Sequence, residues 1–568
     1  WVEIVGREKI RWGRQSQYIL KYGNSGNVDM PAPLFNISTS APFPLGLLYV
    51  LPFEGPFIKI LGKGPDGNPG ILPAGSSYSI PFFIWTGDDG EFSLQVSAIT
   101  TSSIFEISEL ADFIDAFCPA PGIPLGFSRV YSHSNYVGPL GRGWIHDYDY
   151  RLEELNDGNV AILRGDNYIN FFLKGSDNNY TAIRGYSILK HNPDGTYTLI
   201  RKDGTIYGFM DNLKLDYIED PNRNVIDCVY SGNKLVELRH SCGENFTLEY
   251  SGDRIIRITD QAGRVTEYHY DGSGKLLTSV KTPDGSVTSY NYGENDKLTS
   301  ISYPSGVKQF FEYDANGHLS KVYLNDKEEM VRYTYDIANG NTYITDADGN
   351  TRAIRVDDFG RIIGMVNPFG ASIHYEYDDN DNLIRLTDPL GNSYNFEYDE
   401  QGNLVSNTNP LNHTITMEYE PAFNKPTWIK DARGNKISFE YDEHGNIIRV
   451  TYPDSNKESM SYDSAGNPTN LTTRKGDLIN YTYNNRGQLV RKEYPDGSWV
   501  AYEYDDAGNM ISATDKHGRI EMEYNVRNQL TKITYPTGQF FNYSYDSGGR
   551  LIKREDQDGN VLNYEYDD

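Results

Sequence analysis

The densest group of side chains able to move protons or hold a metal is His146-Asp147-Tyr148-Asp149. An imidazole beside two carboxylates and a phenol has the makings of an acid/base or ligand set, but next to Trp144 these residues read as part of a strand. The acidic stretches Asp378-Asp-Asn-Asp-Asn382 and Asp346-Ala-Asp-Gly-Asn350 have the composition of calcium loops. They lack the spacing and distal Glu of an EF-hand, and turn formation accounts for them. Carboxylates are so frequent that no pair stands out for glycoside hydrolysis. Gly-x-Ser-x-Gly, phosphate-loop and HExxH motifs are absent, as is any Cys/His spacing for zinc. The expectation is no catalytic residue, no cofactor and no metal site. Three cysteines are too few for a disulfide framework. Cys228 and Cys242 fall in neighbouring strands and either pair or remain buried thiols, with Cys118 left odd. Asn-x-Ser/Thr at Asn36, Asn179, Asn245, Asn412, Asn470, Asn480 and Asn542 arises readily by chance in a chain rich in Asn and Thr.

The tyrosines recur too regularly for a stacking site. Tyr377-Asp378, Tyr398-Asp399, Tyr419-Glu420 and Tyr441-Asp442 each close an aromatic run, and the ending returns at Tyr462-Asp463, Tyr504-Asp505 and Tyr545-Asp546. From Tyr230 to Tyr566 the chain advances 336 residues in sixteen intervals, a mean period of 21, with Val356 filling one slot. A fixed period of this length marks a repeat architecture. Within one repeat, Tyr394, Phe396 and Tyr398 alternate with Ser393, Asn395 and Glu397, the period-2 signature of a strand. The closing Tyr leads into Asp-x-x-Gly at Asp399 to Gly402, Asp442 to Gly445, Asp463 to Gly466, Asp505 to Gly508 and Asp546 to Gly549. Asp suits the start of a type I turn and Gly its left-handed end; Asn339, Asp381 and Asn528 stand in where Gly is missing. A second turn of the same chemistry recurs between the strands, as at Asp388-Pro-Leu-Gly391 and Asp431 to Gly434. Each repeat is thus a β-hairpin joined to the next by another hairpin turn. Seventeen repeats make about 34 strands, a ribbon about 160 Å long at ~4.8 Å per strand, which twist forces to coil or close. One face is aromatic, no second sheet of that length exists to cover it, and coiling is the remedy that needs no partner. The rings are expected to pack one repeat against the next.

The spacing Tyr-Asp-x-x-Gly-(Asn/Arg)-Leu, followed by a Pro-Asp-Gly or Asp-Pro-x-Gly turn, resembles the YD repeats of the Rhs family, bacterial Tc toxin shells and animal teneurins. It covers the chain from about Asp211 onward. The resemblance implies a ribbon spiralled into a hollow shell that encloses a passenger, often a toxic C-terminal domain. The alternative it implies is a teneurin-like or adhesin-like surface protein that binds a glycan or a protein receptor or self-associates. Phe127-Ser-Arg129-Val-Tyr131 and Gly138-Pro-Leu-Gly141-Arg-Gly143-Trp144 resemble the segment that opens such shells and caps one end. Rhs shells end at an Asp-Pro-x-Gly-Leu self-cleavage site. Asp388-Pro-Leu-Gly391 is followed by Asn392 and sits mid-ribbon, so it reads as a repeat turn.

The domain organisation expected is an immunoglobulin-like β-sandwich over residues 1–117, an irregular shell-opening and cap region over 118–210, and the YD-repeat shell over 211–568. In the first unit, Trp12 to Tyr22 and Phe92 to Ala98 read as strands. Phe35, Phe43, Leu47, Leu48, Tyr49, Val50, Phe53, Phe57, Ile58 and Ile60 supply candidate core, and Ser108 to Phe117 reads as a helix bridging to the shell. The hydrophobic share is 38%, but 45 tyrosines add area that packs while keeping a hydroxyl wet. The 54 glycines and 27 prolines mostly fall at periodic turns, which argues for ordered hairpins. A net charge of −27 argues against nucleic acid and anionic membranes as partners, and no stretch is apolar enough to span a bilayer as a helix. The composition fits a secreted or cell-surface β-protein. The opening on Trp1 and the stop at Asp568 read as truncations of a longer chain.

Overall fold

A computed structural model of the chain describes residues 2–5, 15–23, 30–31, 33–39, 45–46, 57–61, 71–72, 77–85, 94–99 and, apart from 133, 176, 326, 327, 567 and 568, everything from 109 onward. The fold is all-β. The helical turns among the described residues are two short 3-10 pieces, Glu294–Asp296 and Ile337–Asn339.

The N-terminal unit is a sandwich. A four-stranded sheet built on Gln15–Gly23 and Ser77–Trp85 faces a three-stranded sheet of Leu34–Thr39, Phe57–Leu61 and Leu94–Ile99. Alternate residues of both meet in a core of Leu20, Tyr22, Phe35, Ile37, Ile58, Ile60, Phe82 and Ile84, as strand periodicity requires. Phe43, Leu47, Leu48, Tyr49, Val50 and Phe53 lie outside the described residues, and so does the side chain of Phe57. The sandwich rests on the first hairpin of the shell. Leu34 and Leu61 pack on Leu155, Ala161 and Leu163, and Asp157 accepts from the Leu61 amide at 3.0 Å.

Residues 109–118 correct the helix expected there: Glu109–Cys118 is a strand, paired antiparallel with Leu125–Ser132, which pairs in turn with Trp144–His146. This small sheet forms a plug. From Tyr150–Glu154 to Val561–Asn563 the chain is one antiparallel meander of 41 strands, each paired with its neighbours in sequence. The sheet therefore starts well before Asp211, and the onset of strict repeats there is not a break in it.

The YD hairpins bend at the same place, the one at Tyr335 excepted, where the strands pair without a shift. Glu397 faces Ser406 but Tyr398 faces Leu404, which leaves Val405 as an extra residue, and the same shift precedes Tyr441, Tyr462, Tyr504 and Tyr545. A bulge increases local twist and bends the strand pair, so curvature is written once per repeat. The accumulated bend brings the ribbon round onto itself. Arg184 meets Asp381, 197 residues on, and Arg264 meets Asn528, 264 residues on. With two strands per repeat, a wind of that size is about 110 Å around and about 35 Å across at ~4.8 Å per strand.

Candidate functional site

The unit of the wall is the YD turn. In the turn Asp399 to Gly402, the Gly402 amide donates to the Asp399 carbonyl at 2.9 Å and the Asp399 amide to the Asn403 carbonyl at 3.0 Å. The Asp399 carboxylate accepts from the amides of Gln401 and Asn403 at 3.0 and 2.8 Å, and from the Asn403 side-chain amide at 2.9 Å. Asp378 and Asp442 repeat this set with Asn382 and Asn446, and Asp546 with Arg550. In the acidic stretches that resemble calcium loops, Asp378 and Asp346 thus spend their carboxylates on their own turns, while Asp381 pairs with Arg184 and Arg361. Gly402, Gly445, Gly466 and Gly508 have φ of 72°, 78°, 84° and 90°, and Asp381 and Asn528 take φ of 67° and 61° in its place. Asn339 does not: it ends a 3-10 turn, and Gly340 takes the left-handed position at φ 65°.

The YD tyrosines act through their hydroxyls. Tyr377, Tyr398, Tyr441, Tyr462, Tyr504 and Tyr545 each donate to the carbonyl fifteen residues earlier, at 2.7–2.9 Å. Each ring so ties the end of its strand to the start of the strand paired before it. Burial pushes the Tyr441 hydroxyl up to about 12.

The motif gives the residue after the turn glycine only as Asn or Arg. In several repeats where it is basic it lies over the ring of the next YD tyrosine, as Lys297 over Tyr313, Arg361 over Tyr377 and Arg550 over Tyr566, whereas Lys275 pairs with Asp296. It also reaches the next turn, as Lys425 does in donating to the Gly445 carbonyl. Neutral residues make the same reach, with Gln488 donating to Gly508 at 3.0 Å and Gln529 to Gly549 at 2.8 Å. Neighbouring turns are therefore clipped together along the rim.

Between winds, the YD turns of the second meet the intervening turns of the first. Lys202 donates to the Gly402 carbonyl at 2.7 Å, Asn446 to Asn222 at 2.7 Å, and Asn224 to the Ala465 carbonyl at 3.0 Å. Arg486 pairs with Glu244 at 2.7 Å, and Arg527 pairs with Asp284 and Ser286. Burial works to raise the Asp284 carboxyl, yet the hydroxyls of Thr282 and Ser286 and the Arg527 guanidinium hold it down to about 2. None of these cross-wind pairs is visible in a sequence, because the residues lie about ten repeats apart.

The plug brings the predicted opening residues together. Arg129 and Asp115 pair at 2.7 Å with side chains each 2% exposed, and the Tyr268 hydroxyl donates to the same carboxylate at 2.8 Å. The guanidinium lies over Phe113, Trp144 and Tyr290, at 4.4, 4.8 and 5.4 Å from the ring centres, where cation–π attraction is strengthened by the absence of water. Burial pushes the Asp115 carboxyl up, opposed by Arg129 and Tyr268. Burial also works against the Arg129 charge, but Asp115 and the facing tyrosines hold the guanidinium protonated. Trp144 donates to Tyr292 at 2.9 Å, and Tyr131 accepts from the Leu298 amide at 2.9 Å. Gly141 and Gly143 have φ of 88° and 77°; a Cβ on Gly141 would meet the Lys275 carbonyl at 2.8 Å. Gly138 faces Gly141 in the same small hairpin.

His146 to Asp149 form no acid/base set. His146 is buried and stacked on Phe127, and burial lowers its pKa. Asp147 accepts from the Ser128 amide, Tyr148 donates to the Gly126 carbonyl, and Asp149 accepts from Tyr136. Cys118, Cys228 and Cys242 are free thiols, the first two buried. Among the described residues no three His, Cys, Asp or Glu side chains are grouped to hold a metal. A cavity of about 650 Å³ lies where the plug, the first-wind rim and the last YD turns meet, lined in part by Ile114, Phe117, Asp284, Tyr303, Val526 and Arg527. No helix among the described residues is long and apolar enough to cross a membrane.

Comparison with known proteins agrees with this wall. The teneurin YD-shell family matches residues 206–395 and 389–533, more than half of the chain. The RHS repeat matches 524–561, and a domain of unknown function (DUF6531) matches 108–172, which spans the plug. The probable deoxyribonuclease RhsB of Dickeya dadantii is 26% identical over 271 residues, 45% of this chain and 19% of its own length. The tRNA nuclease WapA of Bacillus subtilis is 26% identical over 251 residues, 43% of this chain and 11% of its own. The chain thus spans under a fifth of either relative. The crystal structure of TcdB2-TccC3 aligns with 78% of this chain and 28% of its own, at a TM-score of 0.40 and 13% identity. The period, the turn chemistry and the family match together make this chain a member of the YD-repeat, or Rhs and teneurin-shell, family.

Proposed function

We propose that this chain builds the wall of a hollow shell that encloses a passenger polypeptide, and that it contributes containment and no catalysis. One observation carries the reading. The aromatic face that the plug covers in the first wind continues through the second only partly buried: beyond Val356, Val450 is the sole buried apolar residue among those described. A coil about 35 Å across with a half-exposed aromatic lining has room and a surface for an unfolded or compact guest, while Tyr hydroxyls keep that surface from binding it irreversibly. The nuclease names of the matched relatives belong to proteins five or more times longer than the matched stretch, consistent with chemistry carried elsewhere in such chains. Under this reading the strands up to Leu94–Ile99 form an immunoglobulin-like sandwich, those from Glu109–Cys118 to Trp144–His146 open and plug the shell, and those from Tyr150–Glu154 to Val561–Asn563 form its wall. Enclosure fits a secreted or surface-exposed protein, since a closed wall separates a harmful guest from the cell that makes it.

Cryo-electron microscopy of the full-length natural polypeptide, combined with limited proteolysis, tests this. Non-repeat chain inside the second wind, resistant to protease until the wall is breached, is the expected result. An empty coil whose non-repeat segments are cut freely overturns it.

A further inference from the structure

The intervening turns carry a contact code at their third residue. In Asp220 to Arg223 that residue is Asn222, which bonds Asn446 and lies against Gly466. In Thr282 to Gly285 it is Asp284, paired with Arg527. In Tyr303 to Gly306 it is Ser305, seated so closely on Gly548 that a Cβ there would have no room. In these three turns of the first wind the third residue touches the wind above, while in the other turns Lys202, Glu244 and Arg264 make the contact from neighbouring positions.

At the same position on the second wind stand Phe369, Leu390 and Leu411, in three consecutive turns. They are 93%, 87% and 73% exposed, the three most exposed large apolar side chains among the described residues. The position reverts to polar on both sides, with Asp348 before and Arg433, Asp454, Lys475 and Asp496 after. Single exposed apolar residues need no explanation, but three in register, about 10 Å apart along the rim, form a strip of the kind that marks a contact surface.

We propose that Phe369, Leu390 and Leu411 are the seat for the YD turns of a further wind of the same kind of ribbon. The strip continues an interface that the chain already makes, at the same register position and facing along the coil rather than into it, so a guest held within the coil would not reach it. YD turns offer apolar partners at their variable positions. Phe423 packs against Gly204 and Gly445, and the Phe359 ring lies 3.9 Å from the Arg184 guanidinium. The seat is independent of whether a passenger is enclosed.

The test places the photo-crosslinking residue p-benzoylphenylalanine at position 369, 390 or 411 of the full-length natural polypeptide, with position 305 as control. The control should join the peptide around Gly548. The three seat positions should join, within the same molecule, a peptide carrying Tyr-Asp-x-x-Gly. Crosslinks to a non-repeat segment, crosslinks to a second molecule, or none at all while the control works would each overturn the proposal; the first would leave enclosure standing. Phe369→Asp, Leu390→Asp and Leu411→Asp combined should speed proteolysis of the crosslinked wind several-fold, and unchanged cleavage would count equally against it.

Discussion

Ile258 in the first wind and Ile429 in the second occupy equivalent places: Ile258 faces Leu248, two residues before Tyr250, and Ile429 faces Met417, two before Tyr419. Ile258 is 1% exposed, while Ile429 is only partly buried. The repeat fixes strand pairing, turn geometry and the tyrosine tie in both winds alike. It does not fix burial. That comes from a second body, the plug, whose Trp144, Tyr131 and Phe127 join an apolar cluster running unbroken to Ile354. The first wind is a folded core, and the second is a wall held by its own hydrogen bonds, its clipped turns and the seam beneath it.

The sharpest way to break this contrast is Arg129→Ala. It leaves the Asp115 carboxylate buried without its partner, and loss of one member of such a pair costs about 3–5 kcal/mol. Hydrogen exchange should rise at Thr266–Tyr268 and stay unchanged at Ile437–Tyr441; equal loss in both winds would show that they are not separately stabilised. Next comes the matched pair itself. Ile258→Ala should cost about 2–5 kcal/mol, as removal of a buried aliphatic side chain does, and Ile429→Ala about half or less by urea unfolding. Equal costs would mean that the second-wind face is covered in solution.

Turn glycines sharpen the comparison further. A side chain at φ near +90° costs ~1–2 kcal/mol wherever it stands. Gly434 has nothing within 4 Å of a new Cβ, whereas at Gly508 the Pro119 ring lies 2.9 Å away. Gly508→Val should therefore melt lower than Gly434→Val, and identical melting would deny the plug's reach across the seam. The smallest effect is one of pH. The Asp284 carboxyl sits at about 2 when folded, below the ordinary carboxylate value of about 3.9. Its contribution is complete above that ordinary value and is lost as pH falls through the folded one. The melting difference between wild type and Asp284→Asn should shrink between pH ~4 and ~2, and a constant difference would remove Asp284 from the seam.

The repeat, its turns and the need to coil were legible because each depends on residues at most a repeat apart. Asp399 and Gly402 announce a turn, and Tyr394 to Tyr398 a strand. The plug strand is hidden because its polarity is inverted: Asp115 faces inward to Arg129 while Ile114 is 70% exposed, so alternation by residue type fails there and the pattern resembles a helix. The rings proved to matter for their hydroxyls, whose acceptors are backbone carbonyls that no side-chain pattern encodes. The seam and the early start of the sheet at Tyr150 depend on pairing across many repeats or on irregular strands, where spacing carries no signal.

The seam has a consequence for inheritance. Repeats this alike invite unequal recombination, which adds or removes one unit at a time. Each hairpin would survive, since it consults only its neighbours. The partner across the seam would change, however. Arg527 meets Asp284 from 243 residues away, and losing one repeat between them would deliver Gly548 in its place. Copy number is then free to drift in stretches where the facing residues are interchangeable, and is counted where a charge must meet its opposite.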